Sequence, residues 1–202
     1  MKPKYPENII LAWDDEPNVN ALWEATELLT TNPLLALSKL EYLAGQGSAL
    51  SKVYLGDAYL YGRGVERDYE RGELWLKRAA EQGSIEGAFR LARHYQGAGE
   101  FAKAESEFIK LGDRGFSPAM HTLGNMYFNG EGVTKNIDKA LECWTRAERC
   151  GHLIAKQRAS FLLRSGHLGL IGRLKGYIKL ASGLIPFIKY RSEYPDSDRL
   201  RN

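Results

Sequence analysis

Apolar residues recur three and four positions apart in short blocks along this chain, and most blocks are closed by a glycine. Ala21, Leu22, Ala25, Leu28 and Leu29 have the spacing of one packed helical face, so a helix is expected from about Asn20. Val53, Gly56 and Tyr59 share another face, and Gly62 and Gly64 stop that helix by admitting backbone angles that other residues avoid. Asp68 is placed to cap a second helix, in which Leu74, Leu76, Ala79 and Ala80 are spaced to pack on a neighbour before Gly83 ends it.

The pattern repeats. Gly47, Gly83, Gly115 and Gly151 fall at intervals of 36, 32 and 36 residues, preceded by LSKLEYLAGQG, LWLKRAAEQG, SEFIKLGDRG and ECWTRAERCG. A period of this length signals stacked units, each one a pair of helices.

Ala49, Leu55, Gly56, Tyr59, Gly62, Gly64, Val65, Asp68, Trp75, Ala79, Ala80 and Gly83 resemble the Sel1-like repeat family, which is related to the tetratricopeptide family. A second copy has Leu123, Gly124, Tyr127, Gly130, Gly132, Val133, Lys139, Ala140 and Gly151, with Asn136 in the Asp position and Trp144 one residue beyond the usual aromatic. An eroded copy between them has Leu91, Tyr95, Gly97, Gly99, Lys103, Ala104 and Gly115. There Ala92 replaces the glycine of Leu-Gly, and the loop is four residues shorter. A half-copy opens the series at about 33–47. The resemblance implies an all-α, right-handed alpha-alpha solenoid over residues 33–166 that works by holding other proteins, and it implies no catalytic residues.

The loop GRGVERD invites comparison with a phosphate-binding loop. It follows a helix rather than a strand and lacks the Lys-Ser/Thr ending, and GEGVTKN recurs at 130–136 in the same place of its unit, so it is read as a turn.

The ends depart from the repeat. Residues 1–32 are expected to cap one end of the array, with Trp13 and Trp23 open to a partner in a competing reading. In 167–191, Leu170, Ile171, Leu174, Ile178, Ala181, Ile185 and Ile188 fall on one helical side, with Arg173, Lys175, Lys179 and Ser182 away from it. Pro186 is expected to kink or divide this helix, and its glycines weaken it as a free-standing element. One reading packs its apolar side on the array as a cap. The other lays that side on a membrane surface or a membrane protein. Residues 192–202 read as a polar tail.

Charge sharpens the second reading. The 202 residues carry a net +3, but between Arg149 and Ser192 there are nine Lys/Arg and no Asp or Glu, which leaves −6 for the remainder. Basic charge with Tyr177 also suits nucleic acid, yet the Leu/Ile content of the same stretch fits a hydrophobic surface better, and nucleic acid is the least favoured partner. No apolar run reaches the roughly 18 residues of a membrane span, and MKPKYPENIILAWDDEP does not read as a secretory signal. Cys143 and Cys150 are not spaced for a metal, His94, His121, His152 and His167 show no helical ligand pair, and Cys143 with His152 lacks an orienting group. No enzyme activity and no cofactor or metal is expected.

The function read from this pattern is a non-catalytic scaffold or adaptor that binds a protein or peptide along its first helices, on the inner, concave side. The expected contacts are Asp57, Tyr61, Arg90, His94, Asn125, Phe128 and Asn129, with Tyr61 and Phe128 taken as equivalent positions and Arg90 with His94 as receivers for an acidic peptide. The alternative is a peripheral membrane adaptor using Leu170, Ile171, Arg173, Leu174, Lys175, Ile178, Lys179, Ile185 and Ile188. A cytoplasmic location, peripheral to the inner face of a membrane in the second reading, is expected, and the oligomeric state is left open.

Overall fold

The structure is a computed structural model that describes the backbone at residues 16–166 and 168–193, and the side chains there apart from 183–188 and 190–193. Trp13, His167 and the side chains of Ile185, Pro186 and Ile188 lie outside the described residues. Ten helices follow one another among the described residues, and there is no strand there. They are α1 (Val19–Thr31), α2 (Pro33–Gly45), α3 (Ala49–Tyr61), α4 (Tyr69–Glu81), α5 (Ile85–Gly97), α6 (Phe101–Asp113), α7 (Ser117–Asn129), α8 (Ile137–Arg149), α9 (Leu153–Arg164) and α10 (Gly169–Glu193).

These helices belong to two compact units, one ending at Ala98 and one beginning at Gly99. The boundary falls in the shortened loop of the eroded copy. In the first unit α1 to α5 each pack on the next, and α3 also meets α5; in the second, α6 to α10 pack in succession.

The closing glycines recur as one backbone device. Gly47, Gly83, Gly115 and Gly151 all have φ between +81° and +97°, where a side chain is strained. The chain then turns back so that the next N–H donates to a carbonyl five residues earlier: Ser48 to Leu43, Ser84 to Ala79, Phe116 to Leu111 and His152 to Ala147, each at 3.0 Å. Side chains then open the following helices. Ser48 accepts from Ser51 N, Ser84 from Gly87 N, and Asp68 and Asn136 accept from Arg71 N and Lys139 N at 2.9 Å.

The core follows the same register. Leu40, Leu76, Phe108 and Trp144 each stand seven residues before a closing glycine, and all four are fully buried. Small partners make room for them: a Cβ on Gly56 would lie 2.6 Å from Leu76 Cγ, and one on Gly124 would lie 2.5 Å from Trp144 Cδ1. Trp144 is therefore the counterpart of Leu76, which is why it sits one residue beyond the position of Trp75. Leu74, expected on the packed face with Leu76, is exposed instead, because it lies on the opposite side of α4.

The two GxGV loops are also part of this packing. Gly64 and Gly132 have positive φ, and a Cβ on either would lie within 2 Å of a side-chain carbon of Pro33 or Phe101, the first residues of α2 and α6. Each loop thus lies against the second helix of the preceding pair, and Asp68 N and Asn136 N donate back to Tyr59 O and Tyr127 O at 2.9 Å. GRGVERD is a turn built for close approach of chain to chain.

At the first end, α1 starts at Val19 with Asn18 accepting from Ala21 N, and it buries Leu22 and Ala25. At the other end, α10 runs through position 186 without division and continues to Glu193, two residues into the expected tail. A proline forfeits one helical hydrogen bond, and the helix is continuous on both sides of it.

Candidate functional site

In the first unit, the expected contacts Asp57, Arg90 and His94 are engaged with the fold itself. Arg90, half-buried on α5, donates from Nη1 to buried Asp57 on α3 and from Nε to Glu86 Oε1 at 2.8 Å. That pairing engages the guanidinium as a joint between neighbouring helix pairs of this unit. His94 lies 3.8 Å from Glu73 Oε2 and stacks on Tyr69 with ring centres 6.2 Å apart. Glu73 also accepts from Tyr95 Oη at 3.0 Å and pairs with Lys77. Burial alone would raise the Glu73 carboxyl's pKa, but hydrogen bonds from Lys77 and Tyr95 and the Lys77 charge bring it below the usual range.

The second unit repeats the device at the same 22-residue separation: Tyr127 Oη donates to Glu105. Burial, then the bond to Glu105, pushes the Tyr127 hydroxyl pKa up. Asn125 and Phe128, both half-buried, are likewise engaged within the fold. Asn125 Oδ1 accepts from Trp144 Nε1 at 3.2 Å, and Phe128 packs on the Trp144 ring at 5.3 Å. The repeat offset of 68 residues pairs Tyr61 with Asn129 and Phe128 with buried Leu60, so Tyr61 and Phe128 are not equivalent. Of the seven expected contacts, Tyr61 and Asn129, each the last residue of its helix, remain open to solvent.

Tyr61 has companions that the sequence reading missed. Arg63 lies over its ring at 5.5 Å; further along the loop Arg67 lies over Tyr69 at 5.8 Å and donates to its hydroxyl at 3.2 Å. Tyr61 and Tyr69 are 55% and 56% exposed, so the loop from 61 to 69 presents two aromatic faces, each beside an arginine. The alternation of Tyr and Arg in YGRGVERDY was the available signal. The corresponding residues of the second copy are Asn129, Glu131, Lys135 and Ile137, so the combination belongs to one loop.

Helix α10 departs from the expected cap packed through its apolar side. It packs on α9, but through glycines. Gly172 and Gly176 are buried, and a Cβ on Gly176 would lie 2.7 Å from Arg164 N and 2.8 Å from Ser160 O. Its apolar residues Leu170, Ile171, Leu174 and Ile178 are exposed rather than packed on the array. The four apolar side chains stand away from the docked glycines, and only glycine admits so close an approach of the two backbones. Lys179, grouped in sequence with the outward cations, is half-buried and pairs with Glu148 on α8, whereas Arg173 and Lys175 are exposed.

Cys143, His121 and His152 are held in the packing, whereas Cys150 is exposed. Burial raises the Cys143 thiol's pKa to about 11, which keeps it protonated and weakly nucleophilic. His152 Nδ1 accepts from Ala155 N at 3.1 Å as a helix cap, and its ring stacks on fully buried His121 at 4.5 Å. Among the described residues no three His, Cys, Asp or Glu side chains come together to hold a metal ion.

The Sel1 repeat model matches residues 49–84 and 117–152. A solved Sel1 repeat protein from Oxalobacter formigenes superposes with a TM-score of 0.64 at 19% identity, covering 85% of this chain and 77% of that one. A protective antigen of uropathogenic Escherichia coli with an SLR fold gives 0.59 at 27% identity, covering 73% of this chain and 33% of its own. Among curated proteins, ribosomal RNA large subunit methyltransferase E of Methanococcus vannielii is 30% identical over 114 residues, which are 54% of this chain and 42% of that protein. The chain thus spans less than half the length of that methyltransferase and of the antigen. It carries Sel1 repeats at residues 49–84 and 117–152, set in an all-α repeat fold.

Proposed function

We propose that the chain is a non-catalytic scaffold that binds a protein partner through the Tyr61 to Tyr69 loop. Sel1-repeat proteins generally mediate protein–protein interaction, which supports the class of function. The observation that carries the site is the exposure of Tyr61 and Tyr69 beside Arg63 and Arg67. The glycines and Asp68 of this loop satisfy its turn. Tyrosine and arginine supply much of the affinity of protein interfaces because each combines a broad apolar surface with polar ends. A partner segment with acidic and apolar side chains fits this loop better than a basic one.

Affinity capture with the full chain and with Tyr61→Ala/Tyr69→Ala, checked for folding by circular dichroism, tests the reading. A partner retained by the wild type and lost by the folded variant supports it. A partner retained equally by both assigns the contact elsewhere.

A further inference from the structure

Helix α10 has two opposed faces. Gly172 and Gly176 face α9, and Lys179 is tied to Glu148 on the same side. About half a turn away at 100° per residue, Leu170, Ile171, Leu174, Tyr177 and Ile178 are 81%, 71%, 63%, 58% and 61% exposed. Arg173 and Lys175, both exposed, fall on the two margins of this apolar stripe. Docking by glycines therefore holds the helix in place while directing its apolar side outward.

We propose that this face of α10 lies flat on an anionic bilayer surface. The charge of the surrounding chain selects that occupant: nine Lys/Arg and no Asp or Glu lie between Arg149 and Ser192. A stripe of Leu, Ile and Tyr with cations at its margins matches the boundary between acyl chains and anionic headgroups, into which such a helix sinks by about 5–10 Å. Pairing two copies through the same face would bring two of these strongly positive segments together, which opposes self-association. No helix among the described residues is long and apolar enough to cross a membrane, so the contact is interfacial. Because α10 is already docked on α9, binding orders little more than exposed side chains and needs no helix to be released. This surface shares no residue with the Tyr61 to Tyr69 loop, and either assignment stands or falls alone.

Co-sedimentation of the full chain with phosphatidylcholine vesicles, and with vesicles that also contain phosphatidylglycerol, tests the proposal. The expected result is binding to the anionic vesicles, weaker binding to the neutral ones, and a decline with added salt. Ile171→Glu/Ile178→Glu should lower the anionic-vesicle affinity by about tenfold or more, and Arg173→Gln/Lys175→Gln by about tenfold. Circular dichroism should find both variants folded, since all four side chains are exposed. Absence of binding, equal binding to both vesicles, or binding unchanged in both variants would overturn the proposal. So would unfolding of the isoleucine variant, which would place those side chains in a core. A wild-type dimer in analytical ultracentrifugation that the isoleucine variant abolishes would assign the face to a second copy instead.

Discussion

His121 is fully buried with neither ring nitrogen hydrogen-bonded, and its pKa is lowered to about 3, first by burial and then by the His152 and Arg158 charges. The native state keeps this ring neutral, whereas the unfolded chain takes up a proton below about pH 6.5. The stabilising contribution is therefore full above that pH and is lost as pH falls toward 3, with a slope of about 1.4 kcal/mol per pH unit. His121→Leu should remove this slope. Urea unfolding of both proteins at pH 7 and pH 5 measures it, and parallel losses would refute the assignment. Gly64→Ala tests a different constraint, because the new methyl meets Pro33 and the residue has a positive φ. A loss of about 2–4 kcal/mol is expected in the same measurement.

At the scale of the element, α10 sets helix propensity against docking. Alanine favours a helix over glycine by about 1 kcal/mol, so Gly176→Ala would strengthen a free α10. In this protein the methyl collides with backbone atoms of α9. The substitution should accordingly increase hydrogen exchange across 169–182 while leaving α7 and α8 protected; unchanged or greater protection of α10 would mean that the glycine contact does not hold it. The core column behaves differently. Trp144→Ala removes the largest fully buried side chain and should cost about 3–5 kcal/mol in urea unfolding. The same change at half-buried Trp75, whose ring is covered by Arg78, should cost distinctly less.

For the molecule as a whole, the surfaces assigned to protein and to lipid are separable because neither contributes to the core. Tyr61→Ala/Tyr69→Ala should leave unfolding within about 0.5 kcal/mol of wild type and leave vesicle binding intact. Ile171→Glu/Ile178→Glu should retain the protein partner. Paired capture and co-sedimentation assays on the two variants check this independence, and loss of both activities in either variant would contradict it.

Much of this was legible in the sequence, and for a local reason. The period of glycines, the caps Asp68 and Asn136, and the apolar spacing are properties of single helices and turns, and these dictated the repeated all-α fold. The candidate contacts were less legible. Arg90, Asn125 and Phe128 look free in a helical pattern, but Asp57 and Trp144 approach them from other helices, and only tertiary packing brings those groups together. The direction of α10 belongs to the same class. Its sequence defines an apolar side and a glycine-bearing side, either of which could face the array. The decision rests on how closely two backbones approach, and the contact of Gly176 with α9 is a relation between helices that neither contains alone.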